Sequence, residues 1–267
     1  MLEPEIGDHY ASVPEDDRIT AGLGRMELLR TQEVLRRYLP SPPAAVVDIG
    51  GGAGVHARWL SEAGYRVHLI DPVPRHVEAA RAVLEASGGT AALGDARSLE
   101  LESGSFDVGL LLGPLYHLTE RADRLRAMGE AARIVKSGGL IAVAAISRFA
   151  SLFDGLARGF LFDHEFREIV ERDLRDGQHR NPNNRPHWFT TAYFHRPEDL
   201  RSEADEAGLE VQELVGLEGL GGWLPQLEDR WETEDGRQII LDAARAIESE
   251  PALLALSPHL LLIGTAP

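Results

Sequence analysis

Residues 46–54 read VVDIGGGAG: two valines lead into an acid, and glycines stand at 50, 51, 52 and 54. The run AAVVDIG (44–50) has the length and β-branching of a buried strand, and the residues after it have the spacing of a helix. Glycine lets a strand turn sharply into a helix and lets backbone approach a ligand closely. A dinucleotide site would need the order G-x-G-x-x-G. Counted from Gly50 and Gly52, the third glycine falls at position 55, which is Val55. The order present is D-x-G-x-G-x-G, and a carboxylate ahead of the first glycine suits a ligand carrying a cation better than one presenting pyrophosphate. Taken alone, the same turn also fits a purely structural role.

Outward from this turn the chain alternates short apolar runs with helical patterns. GVHARWLSEAG forms a helix ended by Gly64, YRVHLID (65–71) a second strand, and RHVEAARAVLEASGG a second helix. TAALGD (90–95) and FDVGLLLG (106–113) are the third and fourth strands. TERADRLRAMGEAARIVKSGG is a helix with Thr119 as its N-cap, and LIAVAAI (140–146) is the fifth strand. Such alternation predicts βαβ units and a parallel sheet. Upstream, GRMELLRTQEVLRRYL (24–39) is an amphipathic helix stopped by Pro40, Pro42 and Pro43. Downstream the rhythm breaks. Residues 147–195 carry helical patterns, with Leu161, Phe162, Phe166, Ile169, Val170 and Leu174 on one face, and a polar loop, DGQHRNPNNRPH. An inserted cap fits this stretch better than another βαβ turn. A helix (PEDLRSEADEAG), a strand (LEVQELVGLEG), an acidic helix near 235–249 and a last strand, HLLLIGTA, complete the chain.

Three acids stand just past successive strands: Asp48, Asp71 and Asp95. In open α/β sheets ligands bind outside the carboxyl ends of the strands, and an acid about 20 residues beyond a glycine turn can accept both hydroxyls of a ribose. Asp71-Pro72 also fits a plain strand-ending turn. With DIGGGAG, Asp71, GDA at 94–96, SFDVGLLLGPLYHL and ARIVKSGGLIAVAAI in this order, residues 44–146 resemble the class I S-adenosylmethionine-dependent methyltransferases. The resemblance implies a Rossmann-like α/β fold: a seven-stranded, mostly parallel sheet with helices on both faces and an antiparallel last strand, for which HLLLIGTA is the candidate. Around it we expect an N-terminal helical lid (1–43), the cofactor-binding core (44–146), an inserted helical cap after strand five (147–196), and a C-terminal completion of the sheet (197–267).

The implied cofactor is S-adenosyl-L-methionine, with S-adenosyl-L-homocysteine as product. Carried over by residue, the turn with Gly50, Gly52 and Gly54 lies against the methionine moiety with Asp48 near it. Asp71 holds the ribose and Pro72 borders the adenine. Asp95 and Ala96 contact the adenine, and Leu112 and Gly113 sit beside the transferable methyl. Arg30 is a further candidate, for the cofactor carboxylate.

Composition narrows the chemistry. There are 27 Lys and Arg against 43 Asp and Glu, a formal charge of −16, which disfavours a phosphate backbone as partner. Cysteine is absent, excluding disulfides, a thiolate metal site and a cysteine nucleophile. No signal peptide is visible, and the apolar runs are far shorter than the roughly 20 residues of a membrane span. We therefore expect a cytoplasmic protein with a small-molecule acceptor, no nucleic acid and no membrane partner. The segment after strand four lacks both the Asn/Asp-Pro-Pro-Tyr/Phe run of amino-group methylation and the carboxylates that hold magnesium in catechol-type enzymes, so no metal is expected.

The polar candidates for catalysis are His117, Tyr193 and His195, with His187 beside them. His117 is either functional or a satisfied structural histidine. HWFTTAYFH (187–195) is either an aromatic wall of the acceptor pocket or a strand packing the cap onto the sheet. Glu27 and Thr31 interrupt the apolar face of the first helix. A core-facing charge needs a partner, so either an internal arginine pairs with Glu27 or that face borders a wet cleft; we take the second. A methyltransferase acting on a protein or RNA, or a non-catalytic S-adenosylmethionine-binding protein, is the alternative reading of the same motifs.

Overall fold

The computed structural model describes residues 24–185 and 188–267. Most of the N-terminal lid expected over 1–43, and the candidate His187, lie outside the described residues.

Helix α1 (Gly24–Tyr38) precedes β1 (Ala45–Ile49), α2 (Val55–Glu62), β2 (Arg66–Asp71), α3 (Pro74–Leu84), β3 (Thr90–Leu93), β4 (Phe106–Leu111), α4 (Arg121–Ile134) and β5 (Val135–Ile146). Helices α5 (Ala150–Arg158) and α6 (His164–Asp176) follow, then a small antiparallel ribbon of β6 (Gln178–His179) and β7 (Ala192–Tyr193). The chain ends with α7 (Pro197–Glu206), β8 (Glu210–Gly216), α8 (Glu228–Trp231), α9 (Glu234–Ile247) and β9 (His259–Thr265). The seven-stranded sheet runs β3-β2-β1-β4-β5-β9-β8, and β9 pairs antiparallel with both neighbours while the other pairings are parallel.

The central strands are apolar on both faces because helices cover both. Val47, Ile49, Ile141, Val143, Leu260 and Leu262 pack on one side with α4 (Ala127, Met128, Ala131, Ile134) and α7 (Leu200, Ala204). Their neighbours in sequence, Val46, Leu69, Val108, Leu110, Ala142 and Leu261, pack on the other with α1, α2 and α3 through Val34, Leu35, Ala57, Leu60, Val77 and Leu84. Each large side chain buried in these layers contributes roughly 1.5–3 kcal/mol.

Three local expectations need correcting. Helix α4 starts at Arg121 with Glu120 in the N-cap position, not Thr119. The segment KSGG belongs to β5 rather than to the end of that helix: β5 begins at Val135 opposite Phe106, then jumps register to pair Leu140 with Val108. Gly138 adopts φ +74° within this bulge, a conformation that favours glycine. Phe162 is 88% exposed, because it closes a short 3-10 turn (Phe160–Phe162) ahead of α6 instead of continuing its face. The face itself forms, with Phe166, Ile169 and Val170 buried against Trp188, Leu161 and Leu174.

Candidate active site

A cleft opens at the carboxyl ends of β1, β2, β3 and β4. Its lining includes Asp48, Gly50, Gly51 and Gly52 from the first crossover, Asp71, Pro72 and Val73 from the second, Gly94 to Arg97 from the third, and Leu112 to Pro114 after β4. Glu27 of α1, Val55 and His56 of α2, His76 of α3, the stretch Tyr116–Glu120 and Asp123 of α4 complete the wall. Parallel strands with right-handed crossovers deliver their loops to one edge, so residues far apart in sequence meet there.

The glycines make this edge open. Gly52 has φ +57°, and a Cβ added to it would meet nothing within 4 Å, so its missing side chain is space in the cleft. At Gly51 a Cβ would lie 2.6 Å from Asp48 Oδ2; the turn passes directly over that carboxylate. Asp48 is fully buried, and neither of its oxygens has a hydrogen-bond partner among the described residues. Burial, then the nearby Asp71 charge, pushes its pKa up to about 7.

Asp71, 5% exposed, is tied to the turn itself. The Gly52 N–H donates to Oδ2 at 2.9 Å, the Val73 N–H donates to Oδ1 at 2.9 Å, and His76 Nδ1 lies 3.1 Å from Oδ1. This carboxylate therefore sets the loop and faces the cleft at once. Asp95 is clasped by Arg97, whose Nε and Nη2 lie 2.8 and 2.5 Å from its two oxygens, and this pairing lowers its pKa to about 2. Arg97 also reaches Asp123 at 2.7 Å. His117 stands in the 3-10 turn Leu115–His117, edge-on to Tyr116 (4.7 Å) and stacked on Phe189 (6.3 Å).

The raised pKa of Asp48 has a measurable consequence for the free protein. A carboxyl whose folded pKa exceeds its unfolded one stabilises the fold fully below the unfolded value, and that contribution is lost as pH rises through the folded value. Here the window runs from about 4 to about 7. Relative to Asp48→Asn, the wild type should lose up to roughly 4 kcal/mol of unfolding free energy across it. Urea titrations of both proteins at several pH values test this, and parallel curves would refute it.

Four residues that the sequence marks as site candidates are not part of the cleft wall, each for a physical reason. Arg30 is fully buried: its Nε donates to the Leu217 carbonyl at 3.0 Å, Nη1 pairs with Glu33 at 2.6 Å, and Nη2 pairs with Glu248. It fastens α1 to the C-terminal half. Gly54 caps α2 with φ +95° and faces Ala80 of α3, a helix contact. His195 is fully buried, its Nε2 3.2 Å from Glu203, and burial lowers its pKa. Tyr193 lies under the Arg124 guanidinium at 3.6 Å. These last two belong to the junction of ribbon, α4 and α7, where Arg124 makes a two-pronged bond to Glu203 at 2.8 and 2.7 Å. The aromatic segment thus splits: Phe189 backs His117, while Tyr193 and His195 pack.

Sequence reasoning missed His56, His76 and Glu120 in the wall. His56 is the clearest loss. It sits in the first turn of α2, where burial lowers its pKa to about 4, and only its place directly behind the glycine turn could have drawn attention to it. Glu27 does line the cleft, as its break in the apolar face suggested.

Residues 47–143 match a family model described as a methyltransferase domain. The ubiquinone biosynthesis O-methyltransferase of Methylocella silvestris is 35% identical over 121 residues, covering 44% of this chain and 46% of that protein. An uncharacterised methyltransferase of Mycobacterium bovis is 31% identical over 166 residues, 62% of each chain. The chain thus spans between about half and three fifths of the length of these relatives. Among solved structures, the S-adenosylmethionine-dependent methyltransferase of Mesorhizobium loti aligns with a TM-score of 0.60 at 16% identity, over 90% of this chain and 99% of that one. That likeness is one of fold.

Proposed function

We infer that this chain, which belongs to the class I S-adenosylmethionine-dependent methyltransferases through its residues 47–143, transfers the methyl group of S-adenosylmethionine to a small-molecule oxygen or nitrogen nucleophile without a metal. The observation that carries this reading is the charge of the cleft. Among the described residues its wall holds six carboxylates (Glu27, Asp48, Asp71, Asp95, Glu120, Asp123) and one arginine, Arg97, already engaged by two of them. Inside a low-dielectric cleft such an excess favours a cation strongly. The cofactor carries a sulfonium and an ammonium against one carboxylate, a net positive charge; pyrophosphate cofactors carry the opposite charge. The buried Asp48 under the turn and the open cradle at Gly52 fit the methionine end, and Asp71 fits the ribose.

When bound, the cofactor supplies an electrophilic methyl, so the protein's work is positioning and water exclusion. Leu112, Gly113 and Tyr116 form the wall where the methyl is expected. The small-molecule reading is supported by a cleft with an aromatic side at Tyr116 and His117, and by the ubiquinone biosynthesis name of one relative. Acid at the wall also disfavours RNA as acceptor.

Incubation with methyl-labelled S-adenosylmethionine and a metabolite extract should give a labelled small molecule, and EDTA should leave the yield unchanged. Label recovered only in protein or RNA would overturn the acceptor class. Loss of activity in EDTA, restored by magnesium, would overturn metal independence.

A further inference from the structure

An acidic cleft that takes in an amino-acid end must also supply a donor for its carboxylate. Arg30, the residue that the sequence offers for that role, is buried against Leu217, Glu33 and Glu248. Arg97, the one arginine in the wall among the described residues, is clasped by Asp95 and Asp123. His56 stands two residues beyond Gly54, in the first turn of α2, and lines the cleft directly behind the glycine turn.

The imidazole of His56 has one nitrogen committed. Trp59, three residues further along α2, donates its indole N–H to His56 Nδ1 at 3.4 Å. An indole nitrogen only donates, so Nδ1 is the lone-pair nitrogen, and in a neutral ring the proton sits on Nε2. Burial keeps the ring neutral by lowering its pKa to about 4, against the opposite pull of the Glu27 charge. Nε2 is not itself buried, and it has no hydrogen-bond partner among the described residues. The Arg36 guanidinium lies over the Trp59 ring at 5.0 Å, so α1 braces the indole that orients the imidazole.

A fixed N–H donor within reach of the Glu27 charge presents the complement of a zwitterion, with a donor for the carboxylate and an acid for the ammonium. Neutrality suits the donor to this wall. An arginine is drawn to the surrounding acids, as Arg97 is, whereas an uncharged imidazole stays available. The first turn of a helix also favours a negative charge beside it.

We propose that His56, through its Nε2–H, binds the α-carboxylate at the methionine end of the cofactor, and that Trp59 is the positioning residue that fixes the tautomer. The proposal rests on the methyltransferase reading above.

The test compares two ligands that differ only in the carboxylate: S-adenosylhomocysteine and its decarboxylated analogue, which keeps the ammonium. By calorimetry, His56→Leu should weaken S-adenosylhomocysteine about 10- to 100-fold, the loss of one charge-assisted hydrogen bond. The analogue should stay within about twofold of its wild-type affinity. His56→Gln, whose amide N–H can take the place of Nε2–H, should recover most of the loss. Equal weakening of both ligands would mean that His56 only packs, and unchanged affinities would place the carboxylate elsewhere; either result overturns the proposal. In protein labelled with 15N-histidine, the ring signals lost in His56→Leu should report protonated Nε2 and unprotonated Nδ1 near neutral pH. The Nε2 signal should move when S-adenosylhomocysteine binds, and Trp59→Phe should weaken the tautomer preference. An Nδ1–H tautomer in the wild type also overturns the proposal. A wild type that binds neither ligand would defeat the methyltransferase reading itself, whereas a wild type that binds S-adenosylhomocysteine with either of the contrary variant results leaves that reading standing and removes only His56.

Discussion

Asp71→Ala should weaken S-adenosylmethionine and S-adenosylhomocysteine binding by the same factor, about 30- to 1,000-fold. Both molecules share the ribose. Two charge-assisted hydrogen bonds of roughly 1.5–3 kcal/mol each, discounted for water taking their place, amount to about 2–4 kcal/mol. At 1.4 kcal/mol per decade this is the stated range. The structure adds a second route to the same loss. Asp71 accepts from the backbone of Gly52 and Val73, so the alanine variant also loosens the glycine turn and leaves those N–H groups to the solvent of the cleft. Calorimetry of both ligands on the folded variant measures the effect. Unchanged affinities would remove Asp71 from the ribose site, and a loss confined to one ligand would point to the sulfur end instead.

The largest stability effect is expected at Arg124→Ala. The guanidinium and the Glu203 carboxylate are 1% and 4% exposed, and the arginine also donates to the carbonyls of Leu118 and Thr119 at 2.9 and 2.8 Å. Burial alone would raise the Glu203 pKa, but the Arg124 and His195 contacts outweigh it and hold the group near 2. Removing one partner strands a buried charge and usually costs about 3–5 kcal/mol. Because Glu203 is held ionised, its contribution is present above the unfolded carboxyl range and lost as pH falls towards 2. Urea unfolding at pH 7 should show the loss, and Arg124→Ala combined with Glu203→Ala should recover part of it. A double variant no more stable than the single one would mean that packing under Tyr193, not the charge, is what Arg124 supplies.

The sheet and the cleft were legible in the sequence for one physical reason: both are written in local patterns. Apolar runs of five to seven residues marked five parallel strands, and glycines and acids at strand ends marked the lining at Gly50, Gly52, Asp71, Pro72, Asp95 and Ala96. What was not legible depended on contacts between distant segments. Arg30 looked available because its partners, Leu217 and Glu248, lie about 190 and 220 residues away. Tyr193 and His195 looked like pocket residues because a dense aromatic run does not reveal which members face a cleft and which face Arg124 and Glu203. The acidic wall contributed by Glu120 and Asp123 was hidden in the first turn of a helix, where acids are expected for electrostatic reasons alone.

The antiparallel strand has a consequence for how the protein is made. Strand β9 lies between β5 and β8, yet it is synthesised after both. Until His259 to Thr265 emerge from the ribosome, the growing chain carries two unpaired strand edges, that of the apolar β5 and that of β8. At about 5–20 residues per second, the 42 residues from 217 to 258 keep the β8 edge waiting for several seconds, and the β5 edge, complete at Ile146, waits longer still. Exposed edges recruit other strands, so this interval is when a nascent chain is most open to pairing with the wrong one. Slower translation between β8 and β9 would lengthen the exposure, and a holdase that covers β5 would shorten its effect.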